Sequence, residues 1–406
     1  MKILKNILIR VLPKEVISFL SYFIALNKYF IKKNKFTIEG NFINYKSKHT
    51  FFWYYDKTPF DLKDKNILCI AVDNFKSKIC YILLYNLEDK RFKELGTSFT
   101  WNTQMWCRLF WFNKEKNLII YNDYDNGKYI SIIKNVNTNF IEKKIDLPVY
   151  DISINKDKLF SLDFSRLNTF RKWYGYGIIE DKTKNEKIPK NNGIWMHNIN
   201  TWERKLILSL EEIVKVNYDS TMKDAYHYIN HISCNKYDND SFIFFHLWQK
   251  SWKRYSRAIF YNLKNNSFKV INKGKMVSHY DWESQNKILI YSEENGVNGF
   301  HLYDISNWTF KVVWQDVLFE DWHPTYFLGK NKILLDTYPD KDNLQSLYIY
   351  NSLNNSINNI VKILHKPYLL EEYRTDLHPR LSNNYKKVCI DTNIDWKRKI
   401  LLINLN

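Results

Sequence analysis

Residues 330–351, KNKILLDTYPDKDNLQSLYIYN, contain a strand pattern, a polar turn and a second strand pattern, and residues 384–405, NYKKVCIDTNIDWKRKILLINL, repeat this arrangement. In both units the first strand ends on an Asp-Thr pair. A His-Pro segment precedes each unit, DWHPTYF at 321–327 and DLHPRLS at 376–382, and the two histidines are 55 residues apart. Repeats of about 40–50 residues with four short strands each are typical of propeller blades. The repeat therefore predicts a β-propeller.

The rest of the chain after residue 35 has the same character. Short apolar or alternating runs such as NILCIAVD, SFIFFHLW and RAIFYNL recur between polar turns, as antiparallel strands do. One helical turn is predicted near Ser209 to Val214. About 370 residues at roughly 50 per blade correspond to about seven blades. We expect an all-β fold in which residues 36–406 form a single seven-bladed propeller; whether the C-terminal KILLINL joins the first or the last blade stays open.

Composition limits the class of protein. The 406 residues are 45% hydrophobic and 17% aromatic, which suffices for a core. The five cysteines are scattered and odd in number, which predicts reduced core thiols in a cytoplasmic protein. A net charge of +18 attracts polyanions such as nucleic acid, anionic lipid or acidic polysaccharide. No nucleic-acid-binding motif is present, so we expect no nucleic-acid partner.

Residues 1–35 form a separate basic segment. They hold eight Lys or Arg residues against one Glu, and the apolar run from Val16 to Leu26 is too short to span a bilayer. No secretory cleavage site follows. Basic residues flank the run, among them Lys2, Lys5 and Arg10 before it and Lys28, Lys32, Lys33 and Lys35 after it. We expect an amphipathic helix that lies at the inner leaflet of a membrane or packs on the propeller or a partner.

Four histidines recur once per predicted blade. They are separated by 48, 44 and 55 residues: His231, His279, His323 and His378. Equivalent positions of successive blades surround one axis, so we expect the four imidazoles at one mouth of the central channel. Such a cluster suits a divalent metal (Mn²⁺, Zn²⁺ or Ca²⁺), or supplies a general base without metal. For each histidine alone, a structural role is the alternative.

Further candidates for substrate binding lie near aromatic segments. Aromatic rings beside Arg and Gln are typical of sugar and carboxylate recognition, although Trp and Tyr also fill blade cores. The segments 101–111, WNTQMWCRLFW, and 161–177, SLDFSRLNTFRKWYGYG, combine these residue types, and YHYINHIS and FFHLWQK add histidines beside His231. The candidates are Trp101, Gln104, Arg108, Tyr174, Tyr176, His227, His246 and Trp248.

These segments together resemble a known group of proteins. WNTQ, SLDFSRL, HYINHIS, VSHYDW, HPTYF with LLDTYPD, and DLHPRLS with VCIDT are similar to a widespread group of propellers whose genes often lie among polysaccharide genes. That group is distantly similar to oligogalacturonate lyases and other propeller polysaccharide lyases. The resemblance covers roughly residues 95–406, and DTYPD and DLHPR are its most specific parts.

The resemblance implies a divalent metal held by clustered histidines, or direct use of His, Tyr and Arg to eliminate across a uronic acid. The four spaced histidines match the histidine-bearing loops. The chain departs from the group in reading DWHP and RTDLHP where Gly-His-Pro and Arg-Cys-Asp-Leu-His-Pro are expected. It also lacks the lyase pattern His-x-His with a nearby Gln, which leaves the ligand set open.

The leading functional hypothesis is β-elimination, or the related C5 epimerisation, on a uronate-containing anionic glycan in surface-polysaccharide (capsule) metabolism. The substrate carboxylate must be neutralised, a base must remove the C5 proton and an acid must protonate the leaving oxygen. A metal or one of two arginines would neutralise the substrate carboxylate. One of two histidines would be the base that removes the C5 proton, and one of two tyrosines would be the acid that protonates the leaving oxygen. These candidates are Arg166 and Arg380, His231 and His279, and Tyr280 and Tyr338.

Two alternatives stay open. The first is a propeller without catalysis that binds a glycan or acts as a scaffold in polysaccharide biosynthesis. The second is a glycoside hydrolase with two carboxylates, for which the candidates are Asp163, Asp321, Asp336 and Asp376. Their recurrence with the blades favours a structural role, in which a carboxylate accepts hydrogen bonds from backbone N–H groups.

Overall fold

A computed structural model describes residues 13–33, 38, 40–52, 54–313, 320–370 and 373–405. The strands of these ranges form seven four-stranded antiparallel sheets, which are the blades of one β-propeller. The predicted all-β class and the blade number are confirmed. Alternating apolar and β-branched residues give each strand a buried face, and the blades pack these faces together around the central channel.

The blades follow one another along the chain, and the first strand of each lies innermost. Blade 1 contains β2 (His49–Phe51), β3 (Asn66–Val72), β4 (Cys80–Asn86) and β5 (Arg91–Ser98). Blade 2 contains β6 (Phe110–Asn113), β7 (Leu118–Asp125), β8 (Lys128–Asn135) and β9 (Ile141–Ile145). Blade 3 contains β10 (Asp151–Ile152), β11 (Lys158–Ser161), β12 (Gly193–Asn198) and β13 (Arg204–Ser209). Blade 4 contains β14 (Tyr226–Cys234), β15 (Ser241–Lys250), β16 (Lys253–Asn262) and β17 (Ser267–Val270).

The last blade contains strands from both ends of the chain. Blade 5 contains β18 (Val277–Ser284), β19 (Lys287–Glu294), β20 (Val297–Asp304) and β21 (Thr309–Val313). Blade 6 contains β22 (Pro324–Tyr326), β23 (Lys332–Asp336), β24 (Leu344–Asn351) and β25 (Ser356–Leu364). Blade 7 contains β26 (Arg380–Leu381), β27 (Lys387–Thr392), β28 (Lys399–Asn404) and, outermost, β1 (Asn41–Ile43). The C-terminal strand KILLINL thus lies in the last blade, and β1 closes the ring by pairing with it.

Buried aspartates join neighbouring blades. Asp336 of blade 6 accepts a hydrogen bond from the His378 backbone N–H of blade 7, and Asp391 of blade 7 accepts one from Phe52 of blade 1. Asp281 of blade 5 does the same for Tyr326 of blade 6. Asp336 and Asp391 therefore have the structural role that their recurrence predicted, since each carboxylate satisfies a backbone donor of the next blade. Asp321 and Asp376, the other recurrent pair, contact the side chains of His279 and Arg374 instead.

Three α-helices occur in the described ranges: α1 (Lys14–Lys33), α2 (Phe164–Phe170) and α3 (Leu210–Lys215). The predicted turn near Ser209 is α3, and Ser209 caps it in a capping box with Glu212. Helix α2 lies in a long excursion between β11 and β12, with Asp163 as its N-cap. None of the helices in the described ranges is long and apolar enough to cross a membrane.

Helix α1 lies against blades 6 and 7. The buried Tyr29 donates its hydroxyl hydrogen bond to the Ile394 carbonyl, and Asn343 donates a side-chain bond of 2.8 Å to the Ala25 carbonyl. Lys32 pairs with Asp342 at 3.1 Å. The packing interpretation of the basic segment therefore holds for its inner face, while Lys2, Lys5, Arg10 and Lys35 lie outside the described residues.

Candidate functional site

The structure brings the four spaced histidines together at the channel. His231 lies in β14 and His279 in β18, whereas His323 directly precedes β22 and His378 lies two residues before β26. All four therefore lie in, or just before, the first strands of blades 4 to 7. The ring centroids of His279 and His323 are 4.0 Å apart, and those of His323 and His378 are 4.4 Å apart. We call these four residues the histidine ring.

Backbone irregularities turn these side chains inward. The register of β14 shifts between Asn230 and Ser233, on either side of His231, and the register of β18 shifts just before Tyr280. His231 and His378 adopt positive φ angles of 54° and 45°. Bulges re-aim side chains, and non-glycine residues with positive φ are concentrated at functional sites. The local geometry thus favours presentation of imidazoles to the channel.

Two tyrosines from blade 1 fill the centre of the ring. Tyr54 and Tyr55 lie between β2 and a bridge that Phe60 forms with Ile67. The ring of Tyr54 lies 4.9 to 6.4 Å from all four imidazoles. The Tyr55 hydroxyl accepts a hydrogen bond from the Tyr280 N–H and donates one to the Tyr280 carbonyl. The sequence reasoning missed both tyrosines, because the inner strand of blade 1 is interrupted here and shows no repeat signal.

Two ring histidines are oriented by carboxylates. His323 Nδ1 lies 2.8 and 2.9 Å from the two Asp336 oxygens, and His279 Nδ1 lies 2.8 Å from Asp321. Burial lowers the pKa of His279, with partial compensation by Asp321. Burial also lowers the pKa of His323, but the negative charge of Asp336 outweighs this effect, so the pKa of His323 is raised. A carboxylate on Nδ1 leaves Nε2 available for a ligand, as in carboxylate–histidine–metal triads.

His323, Asp376 and His378 form a cluster that fits a metal ion. One ligand atom from each lies within 4.8 Å of the others. His378 Nε2 is buried without a hydrogen-bond partner among the described residues, 3.9 Å from an Asp376 oxygen. Burial favours the neutral acid, but Arg374 outweighs it and lowers the pKa of Asp376. Two imidazoles and a carboxylate suit Mn²⁺ or Zn²⁺ better than Ca²⁺, which prefers oxygen ligands.

The other two predicted metal ligands do not join this cluster. The described residues within ligand distance of one another include neither His231 nor His279. Burial, followed by the nearby Arg171, holds the pKa of His231 well below its usual value. Its Nδ1 has no hydrogen-bond partner among the described residues. His231 is therefore a neutral imidazole with an available nitrogen, which suits a base.

Partly exposed aromatic and cationic residues form the rim above the ring. Tyr174 lies 5.7 Å from His231, and the Arg171 guanidinium stacks 3.8 Å from the Tyr174 ring. On the other side Tyr338 lies 5.9 Å from His323, under Arg374. The Arg171 side chain forms no hydrogen bond or ion pair with a described residue, so its donors are available to an anionic ligand. The sequence reasoning missed Arg171 although it quoted the segment RKWYGYG.

Two predicted arginines lie elsewhere, which corrects their proposed role. Arg166 uses its five donors on the excursion around it, bonding the carbonyls of His227, Thr183, Glu186 and Lys187 and the Thr183 hydroxyl. Arg380 pairs with Asp391 at 3.0 Å in the core of blade 7. Neither guanidinium is placed to neutralise a substrate, because burial has already committed both to protein partners.

Other candidates lie behind the ring or in the blades. Arg108 is fully buried and pairs with Asp56 at 3.5 Å. Tyr280 lies 5.9 Å from His231, and its buried hydroxyl has no partner among the described residues. Trp101 donates to the Ser77 carbonyl, the Gln104 side chain is buried, and Tyr176 stacks on Phe164 in the core. Of the aromatic candidates Trp101, Tyr174 and Tyr176, only Tyr174 has its side chain against a member of the histidine ring, His231.

His227 and His246 form a buried structural chain. The Arg257 Nε donates to His246 Nδ1 at 3.1 Å, His246 Nε2 lies 2.9 Å from His227 Nδ1, and His227 Nε2 lies 3.2 Å from the Met222 carbonyl. All three hydrogen bonds form when both imidazoles are neutral, because each then accepts at Nδ1 and donates from Nε2. Trp248 packs beside His246 and donates to Thr221. The three residues predicted for the pocket rim therefore stabilise blade 4.

A cavity of about 610 Å³ lies between α1 and the rim. Ser18, Ser21, Tyr22 and Ala25 of the helix form one wall. The opposite wall includes Tyr338, Arg374 and Asp376. The helix thus borders the entrance to the candidate metal cluster.

The fold is similar to that of several solved propellers. Over 91% of this chain and 97% of the other, it matches an oligogalacturonate lyase in complex with manganese, with a TM-score of 0.63 and 12% identity. It also matches the propeller domain of Myceliophteria thermophila Cps50 (Swd1), with a TM-score of 0.50 and 10% identity over 90% of this chain and 99% of that one. The tricorn protease matches with a TM-score of 0.51 and 10% identity over 91% of this chain and 34% of that one. No protein-family model and no curated sequence matches the chain. At these identities the similarity establishes the propeller fold, and the chain is a seven-bladed propeller similar in structure to an oligogalacturonate lyase.

Proposed function

We propose that this protein is a polysaccharide lyase, or a mechanistically related C5 epimerase, that acts on a uronate-containing anionic glycan. The observation that carries the proposal is the convergence of a neutral histidine, a metal-fitting cluster and an uncommitted arginine at one channel mouth. A uronate offers an acidic group for the arginine and a C5 proton for the base. Aromatic rims such as Tyr174 and Tyr338 suit the faces of sugar rings.

Arg171 would bind the substrate carboxylate at the rim. Its guanidinium is held by Tyr174 and keeps its donors available, so it can form a forked pair with a carboxylate. This position takes over the role that the sequence reasoning gave to Arg166 and Arg380. Neutralising the carboxylate stabilises the carbanion-like charge that develops when C5 loses its proton.

His231 would accept the C5 proton. It is neutral, its Nδ1 is without a protein partner among the described residues, and it lies beside Tyr174. Tyr338 would donate a proton to the leaving oxygen, because burial raises the pKa of its hydroxyl and keeps it protonated. An acid and a base on separate sides of one pocket are what elimination across C4–C5 needs.

His323, Asp376 and His378 would hold a divalent cation of the Mn²⁺ or Zn²⁺ class, which when bound supplies further charge stabilisation for the carboxylate. Asp336 orients His323 for this role, and Arg374 keeps Asp376 ionised. Carboxylate binding at the rim is assigned to Arg171, and the two proton transfers are assigned to His231 and Tyr338.

The test is incubation of the full chain with uronate polysaccharides, with and without added Mn²⁺, while the absorbance of 4,5-unsaturated products is recorded. We expect product with the parent protein and a loss of at least about a hundredfold in His231→Ala, in line with the usual contribution of a general base. His49→Gln is the matched control, because His49 is a half-buried histidine outside the ring.

The outcomes separate the alternatives. Epimerised product without unsaturated sugar would support the epimerase form. Glycan binding without turnover would contradict the enzyme and support the glycan-binding scaffold. Hydrolysis products without unsaturation would support the hydrolase, although its candidate carboxylates Asp163, Asp321, Asp336 and Asp376 each have a protein partner.

A further inference from the structure

Helix α1 carries its apolar stripe on the side facing away from the protein. Residues spaced by three and four along it are exposed by 40 to 62%: Val16, Phe19, Leu20, Phe23, Ile24 and Ile31. Its opposite side places Ser18, Ser21 and Tyr22 along the cavity beside the rim. A helix on the surface of a soluble domain normally has the reverse arrangement, with its apolar face toward the core.

Two loops near α1 also expose apolar side chains. Trp396, in the hairpin between β27 and β28, is half exposed and lies 6.3 Å from Phe30 of α1. Leu369, Leu370 and Tyr373 are exposed in the loop whose Pro367 lines the same cavity as α1. Several exposed apolar side chains on and beside one helix are typical of an interaction site.

The charge of this segment indicates the kind of partner. Residues 1–35 carry eight basic side chains and one acidic one. At the C-terminal end of α1, Lys32 and Lys33 pair with Asp342 and Asp395 of the propeller, and their side chains stay 33% and 34% exposed. The Lys366 ammonium group lies 3.0 Å from the centre of the Trp396 ring and pairs with no carboxylate among the described residues. An apolar stripe flanked by lysines, with Trp and Tyr at its edge, complements the acyl boundary and anionic headgroups of a bilayer.

We propose that this protein docks on an anionic lipid bilayer through the outer face of α1 and the adjoining Leu369, Leu370, Tyr373 and Trp396. The helix lies in the interface plane, with its polar side against the propeller. The cavity then opens within about one helix diameter, roughly 10 Å, of the membrane surface. The docking does not depend on the reaction proposed for the histidine ring.

The experiment is flotation of the full chain with two kinds of vesicle, phosphatidylcholine alone and equimolar phosphatidylcholine and phosphatidylglycerol. We expect flotation with the anionic vesicles, little with the neutral ones, and release as salt is raised. The triple variant Phe19→Ser, Phe23→Ser, Ile24→Ser should lower the partition coefficient at least tenfold. None of the three side chains lines the cavity or belongs to the core.

Leu353→Ser is the matched control. Leu353 is 77% exposed in the turn after β24, at the end of that strand opposite to Asn343, which contacts α1. Eight strand residues separate the two ends by roughly 25 Å. The control should float like the parent protein.

Three results would overturn the proposal. The first is a parent protein that floats with neither vesicle or equally with both. The second is a triple variant that floats like the parent. The third is self-association of the parent in vesicle-free solution that the triple variant abolishes, because a second copy of the chain would then cover this face.

Discussion

Asp336 connects two ring histidines at the scale of single residues. It accepts hydrogen bonds from the backbone N–H groups of His323 and His378 and holds His323 Nδ1 with both oxygens. One carboxylate therefore sets the orientation of one candidate metal ligand, His323, and the position of another, His378. A substitution that removes the charge of Asp336 would therefore disturb the candidate metal cluster while leaving His323, Asp376 and His378 in place.

We expect Asp336→Asn to weaken Mn²⁺ binding about 10- to 100-fold, the usual effect of losing a carboxylate that holds a ligating histidine in place. Isothermal titration calorimetry with Mn²⁺ measures this directly. Asp281→Asn is the control, because Asp281 also bonds a backbone N–H of the next blade but no ring histidine. Equal Mn²⁺ affinity in the parent and both variants would contradict the cluster.

We expect Arg171→Gln to raise KM for a uronate substrate roughly 10- to 100-fold, because the substrate carboxylate loses its hydrogen-bonded, charged partner. Steady-state kinetics on the full chain measure KM and kcat separately. Arg254→Gln is the control, since Arg254 is exposed on blade 4. An unchanged KM in Arg171→Gln would remove Arg171 from substrate binding.

At the scale of elements, the chain formed by His227, His246 and Arg257 crosses three neighbouring strands of blade 4, β14, β15 and β16. Burial is the main reason that the pKa of His227 is lowered to about 4 and that the pKa of His246 lies well below its usual value. An unfolded histidine has a pKa near 6.5. As the pH falls below this value, the unfolded chain takes up protons that the folded blade does not.

We therefore expect the free energy of unfolding to fall as the pH drops from about 6.5 to 4, and to be insensitive to these groups above that range. For His227 the difference between pKa values of about 6.5 and 4 amounts to roughly 3 kcal/mol. Urea unfolding at several pH values measures the slope. The double variant His227→Gln, His246→Gln should show a smaller slope, and an unchanged slope would exclude this chain as its source.

At the scale of the whole molecule, the ring of blades closes through three residues near the N-terminus. Strand β1 pairs Asn41, Phe42 and Ile43 with β28, and Asp391 reaches across to the Phe52 backbone. Strand β1 covers the outer edge of β28 and leaves only a three-residue strand at the edge of blade 7. These contacts join the N-terminal part of the chain to its last blade.

We expect Ile43→Asp to lower the free energy of unfolding by about 3–5 kcal/mol, because it buries a charge in the core. Phe42→Asp, on the opposite face of the same strand, should cost less than about 1 kcal/mol. Ile43 is 2% exposed and Phe42 is 42% exposed. Chemical denaturation measures both, and equal effects would show that β1 contributes little to closure.

The sequence by itself determined the all-β class, the blade number and the four histidines that form the ring. Strand alternation and a repeat near 50 residues are local and periodic, so DTYPD and DLHPR carry them without tertiary information. The helical turn at Ser209 was likewise predictable from its capping residues.

Only the tertiary structure decided which other side chains face the channel. Tyr54 enters it through an irregular segment, and α1 turns its apolar side outward. Arg171 keeps its donors available, whereas Arg166, five residues earlier, donates to carbonyls that include that of His227, 61 residues away. These outcomes depend on contacts between residues far apart in the chain. Composition and spacing do not encode such contacts. The residues packed around an arginine decide whether its guanidinium binds a substrate or donates its hydrogen bonds within the fold.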